Sequence, residues 1–431
     1  MPFAPSRLLA RLSCFLASDY CARFQRRVKW LRSPLAILVQ AMVASTLCGL
    51  FLHPQGFLLT FGLGTVLAAG VVWPWLGLRG LTGSLSFEKA RAQEGERVKA
   101  IVSLRNRYPW TAWGLAVQAG FQPASTTVLG PPDAGISLAP GWRTTEVTWD
   151  FVPVCRGEYP VNSPSIASGF PFGLWNARRA LTIERTLLVW PRTFPVGPSP
   201  EAAEGRSADG PAPRDKPGTW GDLLGVRPYR RGDSLRRIHW PQTARHGQLV
   251  VCEVQASAVP RVQIVLDTHP GSHLGLGPES SREWAIRVAA SFAEAWINQG
   301  AEVEMIHDGR SFLSRGGSTR ARSAGMLDAL ARLAPGGTDT LADLLSLREV
   351  RRFEHGLRVV VTTDLALWEL TTDDIRPTKS RFVVLEARAF GSGSRNDPSG
   401  HLPVVPWLLI DGPARVASCL RRAGKEVAVG G

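Results

Sequence analysis

RVQIVLD, residues 261–267, decides the fold of the C-terminal half of this 431-residue chain. Val262, Ile264, Val265 and Leu266 crowd into a run closed by the carboxylate of Asp267. A short apolar run of this kind reads as a buried strand. Ser280 and Glu283 then stand three apart, the signature of a capping box. Ala285, Val288, Ala289, Phe292 and Trp296 recur at helical spacing until Gly300 ends the helix. Further strands are expected at 301–306, 357–362, 382–385 and 407–410, with short helices at 326–333 and 341–347. Pro413 opens a last helix that Gly424 closes. Alternating strands and helices predict a parallel sheet covered on both faces over residues 256–431. Ligands of such sheets bind at the carboxyl ends of the strands, where Asp267 and Asp364 fall.

Upstream the period changes to two. In RVKAIVSLR (97–105), Val98, Ala100, Val102 and Leu104 share a face. In EVTWDFV (146–152), Val147, Trp149 and Phe151 do the same, and LLVW (187–190) is a third strand, stopped by Pro191. Turn clusters such as GPPD (130–133) separate such runs, so residues 79–195 read as a β-sandwich-like domain. Residues 196–217, VGPSPEAAEGRSADGPAPRDKP, have the composition of an exposed linker.

Two charge-free apolar runs, 34–52 and 57–78, lie near the N-terminus with only HPQG (53–56) between them. Each approaches the roughly 20 residues that cross a bilayer, and the pair predicts a transmembrane helical hairpin over 34–78. No small-residue cleavage site follows the first run, which argues against a cleaved signal peptide. Arg23, Arg26, Arg27, Lys29 and Arg32 precede the first run, Arg79 follows the second, and the link has no Lys or Arg. This asymmetry places both termini and the soluble domains in the cytoplasm, with Trp73 and Trp75 at the boundary. Residues 1–33 mix Leu9, Leu12, Phe15 and Phe24 with arginines, the pattern of an interfacial segment on anionic lipid.

The formal charge of +14 favours anionic partners. The six cysteines are scattered without a Cys-x-x-Cys pair, which excludes a clustered zinc site. No phosphate loop, dinucleotide fingerprint or Gly-x-Ser-x-Gly elbow occurs. His269 and His273 stand four apart, but Pro270 and Gly271 keep them off one helix face. DTHPGS (267–272) resembles a degraded von Willebrand factor A metal loop, in which hard oxygen ligands hold Mg²⁺. Asp267 is kept, while His269 and Gly271 replace the two serines; Thr338 and Asp364 would complete the set.

Residues 218–255 hold a dense arginine cluster: YRRGDSLRRIHWPQTARHGQLVV, 229–251. Its Arg-Gly-Asp-Ser faces the wrong side of the membrane for adhesion. Nucleic-acid binding through the arginines is a weaker alternative, since no stacking series or recognition helix accompanies them. Asp233 is expected to pair bidentately with one arginine, with Ile238 and Trp240 packed under Leu249 and Val251.

This run resembles the hallmark of the bacterial domain of unknown function 58 family. The matching residues are Tyr229, Gly232, Asp233, Arg236, Ile238, His239, Trp240, Ala244, Arg245, Gly247 and Leu249. LRNRYPW (104–110), RGEY (156–159) and PFGL (171–174) resemble the same family. Cys252-Glu253 stands where the family often has Arg-Glu. The resemblance implies a C-terminal von Willebrand factor A-like domain. It also implies a membrane-anchored, non-enzymatic adaptor or chaperone component working with a MoxR-type AAA+ ATPase and other A-domain proteins. It carries over no catalytic residue. The alternative from a different class is a divalent-metal hydrolase or nuclease using Asp267 and Asp364.

Overall fold

The structure is a computed structural model of the full chain. It describes residues 33–118, 121, 134–197, 223–231, 233–254, 260–334, 336–353, 356–370, 380–390 and 402–423. The basic segment 1–32, the turn at 130–133, most of the linker and Gly424 therefore lie outside the described residues.

Two helices open the described chain, α1 (Pro34–Phe51) and α2 (Gly56–Arg79), within a residue of the expected runs. Both are long and apolar enough to cross a membrane. Ser33 caps α1, with its hydroxyl accepting from Ala36 N at 3.3 Å. The hairpin closes tightly: Ser45 donates to Gly56 O at 2.8 Å, and a Cβ at Gly56 would lie 2.5 Å from Gly49 N. Only glycine allows that approach. Along α2, Gly70, Pro74 and Leu78 are buried and four residues apart, so one face of the helix is covered by protein.

The sandwich follows. Its strands are β1 (Leu81–Phe87), β2 (Arg91–Gln93), β3 (Val98–Asn106), β4 (Ala112–Gln118), β5 (Ala134–Ala139), β6 (Thr144–Phe151), β7 (Gly157–Tyr159), β8 (Ser165–Ser168), β9 (Ala177–Ala180), β10 (Thr182–Ile183) and β11 (Leu187–Trp190). They form sheets ordered β10-β1-β3-β6, β5-β4-β8-β9 and β2-β11-β7. The period-two reading holds: Val98, Ala100, Val102 and Leu104 are buried, while Val147 and Trp149 pack against the same core beside buried Phe151.

Next comes a separate hairpin, β12 (Leu223–Pro228) with β13 (Val250–Val254), joined through the short helix α3 (Trp240–His246). The C-terminal unit then lays down β14 (Arg261–Leu266), α4 (Ser281–Asn298), β15 (Glu302–His307), β16 (Arg310–Leu313), α5 (Thr319–Ala331), α6 (Leu341–Ser346), β17 (Leu357–Thr363), α7 (Asp364–Trp368), β18 (Ser380–Leu385), β19 (Leu408–Ile410) and α8 (Val416–Arg422). The sheet order is β16-β15-β14-β17-β18-β19, parallel except for β16. This antiparallel edge strand was not expected. RSFL is too short and polar to announce itself, and the tight turn at Asp308 and Gly309, both with positive φ, creates it. Alternation within the strands divides the core. Ile264, Val359, Val361 and Val383 face α4 and α5, while Val265, Val360, Phe382 and Val384 face α6 and α7.

Buried charge joins the sandwich to this α/β unit. Glu94, beside β2, accepts from Arg287 Nε of α4 at 2.7 Å and from the backbone N–H of Arg156 and Arg192 at 2.8 and 3.2 Å. Arg287 also stacks over Trp284, 4.6 Å from the ring centroid. Arg156 pairs with Glu283 and donates to the carbonyls of Leu330 and Leu333 at 3.0 and 3.2 Å, closing the end of α5. Asp328 of α5 accepts two bonds from Arg91 and one from Trp190 Nε1. The capping box expected at α4 is therefore half made. Ser280 accepts from Glu283 N, but the Glu283 carboxylate turns to the buried Arg156 guanidinium, while the Ser280 N–H donates to Gly277 O at 3.3 Å instead. The chain beyond Pro191 also hugs this unit: Phe194 N donates to Ser291 at 2.9 Å, and Gly197 N to Leu420 O at 2.9 Å. Val196 packs on the same core, so the first residues of the expected linker are not exposed.

Replacing Glu94 by Ala strands a buried guanidinium, which is expected to cost about 3–5 kcal/mol. Chemical denaturation of the detergent-solubilised full chain checks this, and a loss below about 1 kcal/mol would contradict it.

Candidate functional site

The hallmark segment is a self-closed hairpin built on one carboxylate. Asp233 receives Arg227 in two parallel bonds, Nη1 to Oδ2 at 2.7 Å and Nη2 to Oδ1 at 2.9 Å. Arg230 N adds a third bond at 2.8 Å, and Asp233 N returns one to Arg230 O at 3.0 Å. The aspartate thus locks the turn that leaves β12. The hydrogen bond from the Arg227 side chain is the largest of the effects holding the Asp233 carboxyl down, to about 2.

The rest of the segment returns the chain to β13. His239 accepts from Gln242 N at 3.2 Å and caps α3, with Pro241 inside the first turn. Gly247 ends the helix at φ 67°, a left-handed position that favours glycine. Thr243 then accepts from Val250 N at 3.1 Å, and His239 N donates to Val250 O at 2.8 Å. Tyr229 N donates to Leu249 O at 2.8 Å, and Ile238 bridges Val251.

The expected bidentate pair forms, and Arg227 is the arginine that makes it. The expected packing forms only in part. Ile238, Val250 and Val251 are buried, but Trp240 is 65% exposed, with Leu235 at 66% and Leu249 at 42%. A hairpin with one short helix has too little depth to cover an indole as well. Arg230, Arg231, Arg236, Ala244 and Arg245 are also exposed. Gly232 lies outside the described residues. Sequence reasoning passed over Leu235 and Thr243. Neither belongs to the hallmark spacing, and their roles depend on where the chain reverses.

The strand ends of the α/β unit are organised differently. Asp267 is fully buried, and its two oxygens accept from His269 N and Thr362 Oγ1, each at 2.9 Å. Its carbonyl faces His273 Nε2 at 3.0 Å, and His273 Nδ1 faces Ser281 Oγ at 3.1 Å. Burial pulls the His273 pKa down, so its ring is neutral at physiological pH. His269 turns its own ring to Gly271 N at 3.2 Å. Thr338 bonds to Asp308, whose carboxyl is held low chiefly by the Thr338 backbone N–H. Asp364 accepts from Ala387 N at 2.9 Å. Asp267, Thr338 and Asp364 are thus each engaged with other groups. Among the described residues no three His, Cys, Asp or Glu side chains converge as a metal site. Asp267 acts here as a brace between β14 and β17.

The class these features define is a mixed α/β protein with two span-length helices and an arginine-rich hairpin. Residues 225–387 match the family model described as a protein of unknown function, DUF58. That match takes in the hallmark and most of the α/β sheet. The uncharacterized protein YeaD of Bacillus subtilis (strain 168) is 21% identical over 287 residues, covering 64% of this chain and 69% of YeaD. Among solved structures, the CARDB domain of a Pyrococcus furiosus protein covers 24% of this chain and 94% of its own at 8% identity, with a TM-score of 0.15. A GH20 exo-β-N-acetylglucosaminidase from Vibrio harveyi covers 58% of this chain and 37% of its own at 7% identity, with a TM-score of 0.18. Likeness at that level carries no argument about fold or activity.

The depressed Asp233 carboxyl contributes fully above its ordinary value of 3.8, and that contribution is lost as pH falls through about 2. Carboxyl ¹³C titration should give a midpoint near 2 in the wild type. In Arg227→Gln the midpoint should return toward 3.8. A wild-type midpoint at the ordinary value would contradict the chelate.

Proposed function

We propose that the protein is a non-enzymatic docking scaffold anchored in the cytoplasmic membrane, with both termini and its soluble domains in the cytoplasm. The hallmark hairpin receives an acidic face of a partner protein. On the family resemblance, that partner would be a MoxR-type AAA+ ATPase, acting beside other A-domain proteins. On this reading the α/β unit is a von Willebrand factor A-like domain whose strand-end carboxylates serve the fold.

The observation that supports this most is the exposure of Leu235 and Trp240 among Arg230, Arg231, Arg236 and Arg245, while Asp233 is committed to Arg227. Tryptophan and arginine are the residues on which protein interfaces concentrate their binding energy. An arginine collar raises the encounter rate with an acidic surface, more so at low salt. The two span-length helices would keep this face near the bilayer.

Leu235→Ala combined with Trp240→Ala should weaken binding of the purified MoxR-type ATPase at least tenfold, about 1.4 kcal/mol. Its melting temperature should stay within about 2 °C of wild type, since both side chains are exposed. Unchanged affinity, measured by interferometry on nanodisc-embedded protein, would overturn the docking face.

A further inference from the structure

The end of the sandwich that α2 enters carries aromatic rings that the core does not use. Trp110, Trp113, Trp142, Phe170, Phe172 and Trp175 are 39–74% exposed. Trp113 stands at the start of β4, and the others belong to three loops that meet at this end. The Tyr108 ring lies against Gly80, where a Cβ would come within 2.2 Å of it, and stacks on Trp110 at 4.6 Å. Trp142 N donates to Tyr108 O at 3.0 Å, and Trp113 stacks on Phe170 at 6.5 Å. Between Phe172 and Trp175, Leu174 presses into α2, with Cδ1 2.5 Å from where a Gly70 Cβ would stand. Arg179 fastens the same edge to the helix end, donating to Leu78 O at 3.0 Å.

Depth along α2 decides what surrounds these rings. The helix has 24 residues, about 36 Å at ~1.5 Å each, against a hydrocarbon core of about 30 Å. Gly70 lies nine residues before Arg79, roughly 13 Å along the axis. Even if the whole excess of about 6 Å projects on the side of the soluble domains, Gly70 stays about 7 Å inside the hydrocarbon boundary. Leu174 touches Gly70, so its loop is at that level too. An aqueous pocket there would expose the rings at a cost, whereas lipid receives them favourably.

We infer that the loop at residues 169–176 dips into the leaflet facing the soluble domains, beside α2, and that the tryptophans around it rest in the headgroup layer. The sandwich is then a monotopic membrane-binding domain as well as a spacer. Exposed Arg79, Arg107, Arg143 and Arg178 edge this end and would meet anionic headgroups. The inference rests on α2 being a membrane span, and the test separates the two.

The full chain, with its native cysteines replaced by serine, is placed in phosphatidylcholine–phosphatidylglycerol nanodiscs. A single cysteine bearing an NBD fluorophore is set at Phe172, at Phe61 in α2, or at Val154 beyond the far end of β6. The Phe172 and Phe61 labels should be quenched by lipid-borne nitroxide and resist aqueous iodide. The Val154 label should show the reverse, with at least a fivefold difference in quenching constants. A Phe172 label as open to iodide as the Val154 label, with Phe61 still protected, overturns the inference and leaves the span intact. A Phe172 label shielded from both quenchers also overturns it, because protein then covers the loop. Iodide access at Phe61 overturns the span itself. In the chain with native cysteines, Trp175→Phe should reduce tryptophan quenching by brominated lipid; no reduction counts against the inference.

Discussion

The buried charge between the sandwich and the α/β unit is the constraint on which the rest of the structure depends. Glu94 and Arg287 are each about one-twentieth exposed at the side chain, and Arg156 is equally enclosed. Ionic groups taken out of water are tolerated only when an opposite charge and further hydrogen bonds compensate them. Glu94 meets that condition with a guanidinium and two backbone N–H groups, and Arg156 with Glu283 and two carbonyls. Burial draws the Arg156 pKa down only to about 10, so it remains charged at neutral pH. A shift of the two units by an ångström would orphan several groups at once.

This junction continues a chain of rigid contacts that begins in the hairpin. Helix α2 buries Gly70, Pro74 and Leu78 under the sandwich, the sandwich presents β2, β11 and the turn at Arg156 to α4 and α5, and those helices lie on the parallel sheet. A cavity of about 550 Å³ lies along the junction, lined by Arg156, Tyr159, Glu283 and Leu333 among others. Burial raises the Cys155 thiol at its edge to about 11, which leaves it protonated and unreactive. The hallmark hairpin differs in kind. Among the described residues its bonds run within the segment, and Leu235, Trp240 and Leu249 face outward while Ile238, Val250 and Val251 are buried.

Much of this was legible in the sequence. Periodicity located β3, β6 and α4, and continuous apolar runs located α1, α2, β11 and β14, because each pattern reports how an element meets an apolar environment. Asp233 as the centre of a bidentate pair was legible because a lone carboxylate among arginines has few other fates. Three things were not. The partner Arg227 lies six residues upstream, and only the reversal of the chain brings it back. Trp240 was expected to be covered, but burial of an indole depends on the depth of the module, which no local pattern encodes. The interface of Glu94, Arg156, Glu283 and Arg287 joins residues up to 193 apart in sequence, and spacing gives no sign of such pairs. RGEY (156–159) stood out by resemblance, and the structure gives its arginine a physical task.

The central claim is that buried charge makes the sandwich and the α/β unit one rigid body. The most direct test is electron–electron double resonance between nitroxides at exposed Lys99 and Arg310 in nanodisc-embedded protein. The wild type should give one narrow distance distribution, and replacing Glu94 and Arg156 together by alanine should broaden it. A wild-type distribution already broad, or one that stays equally narrow without both residues, would contradict the account.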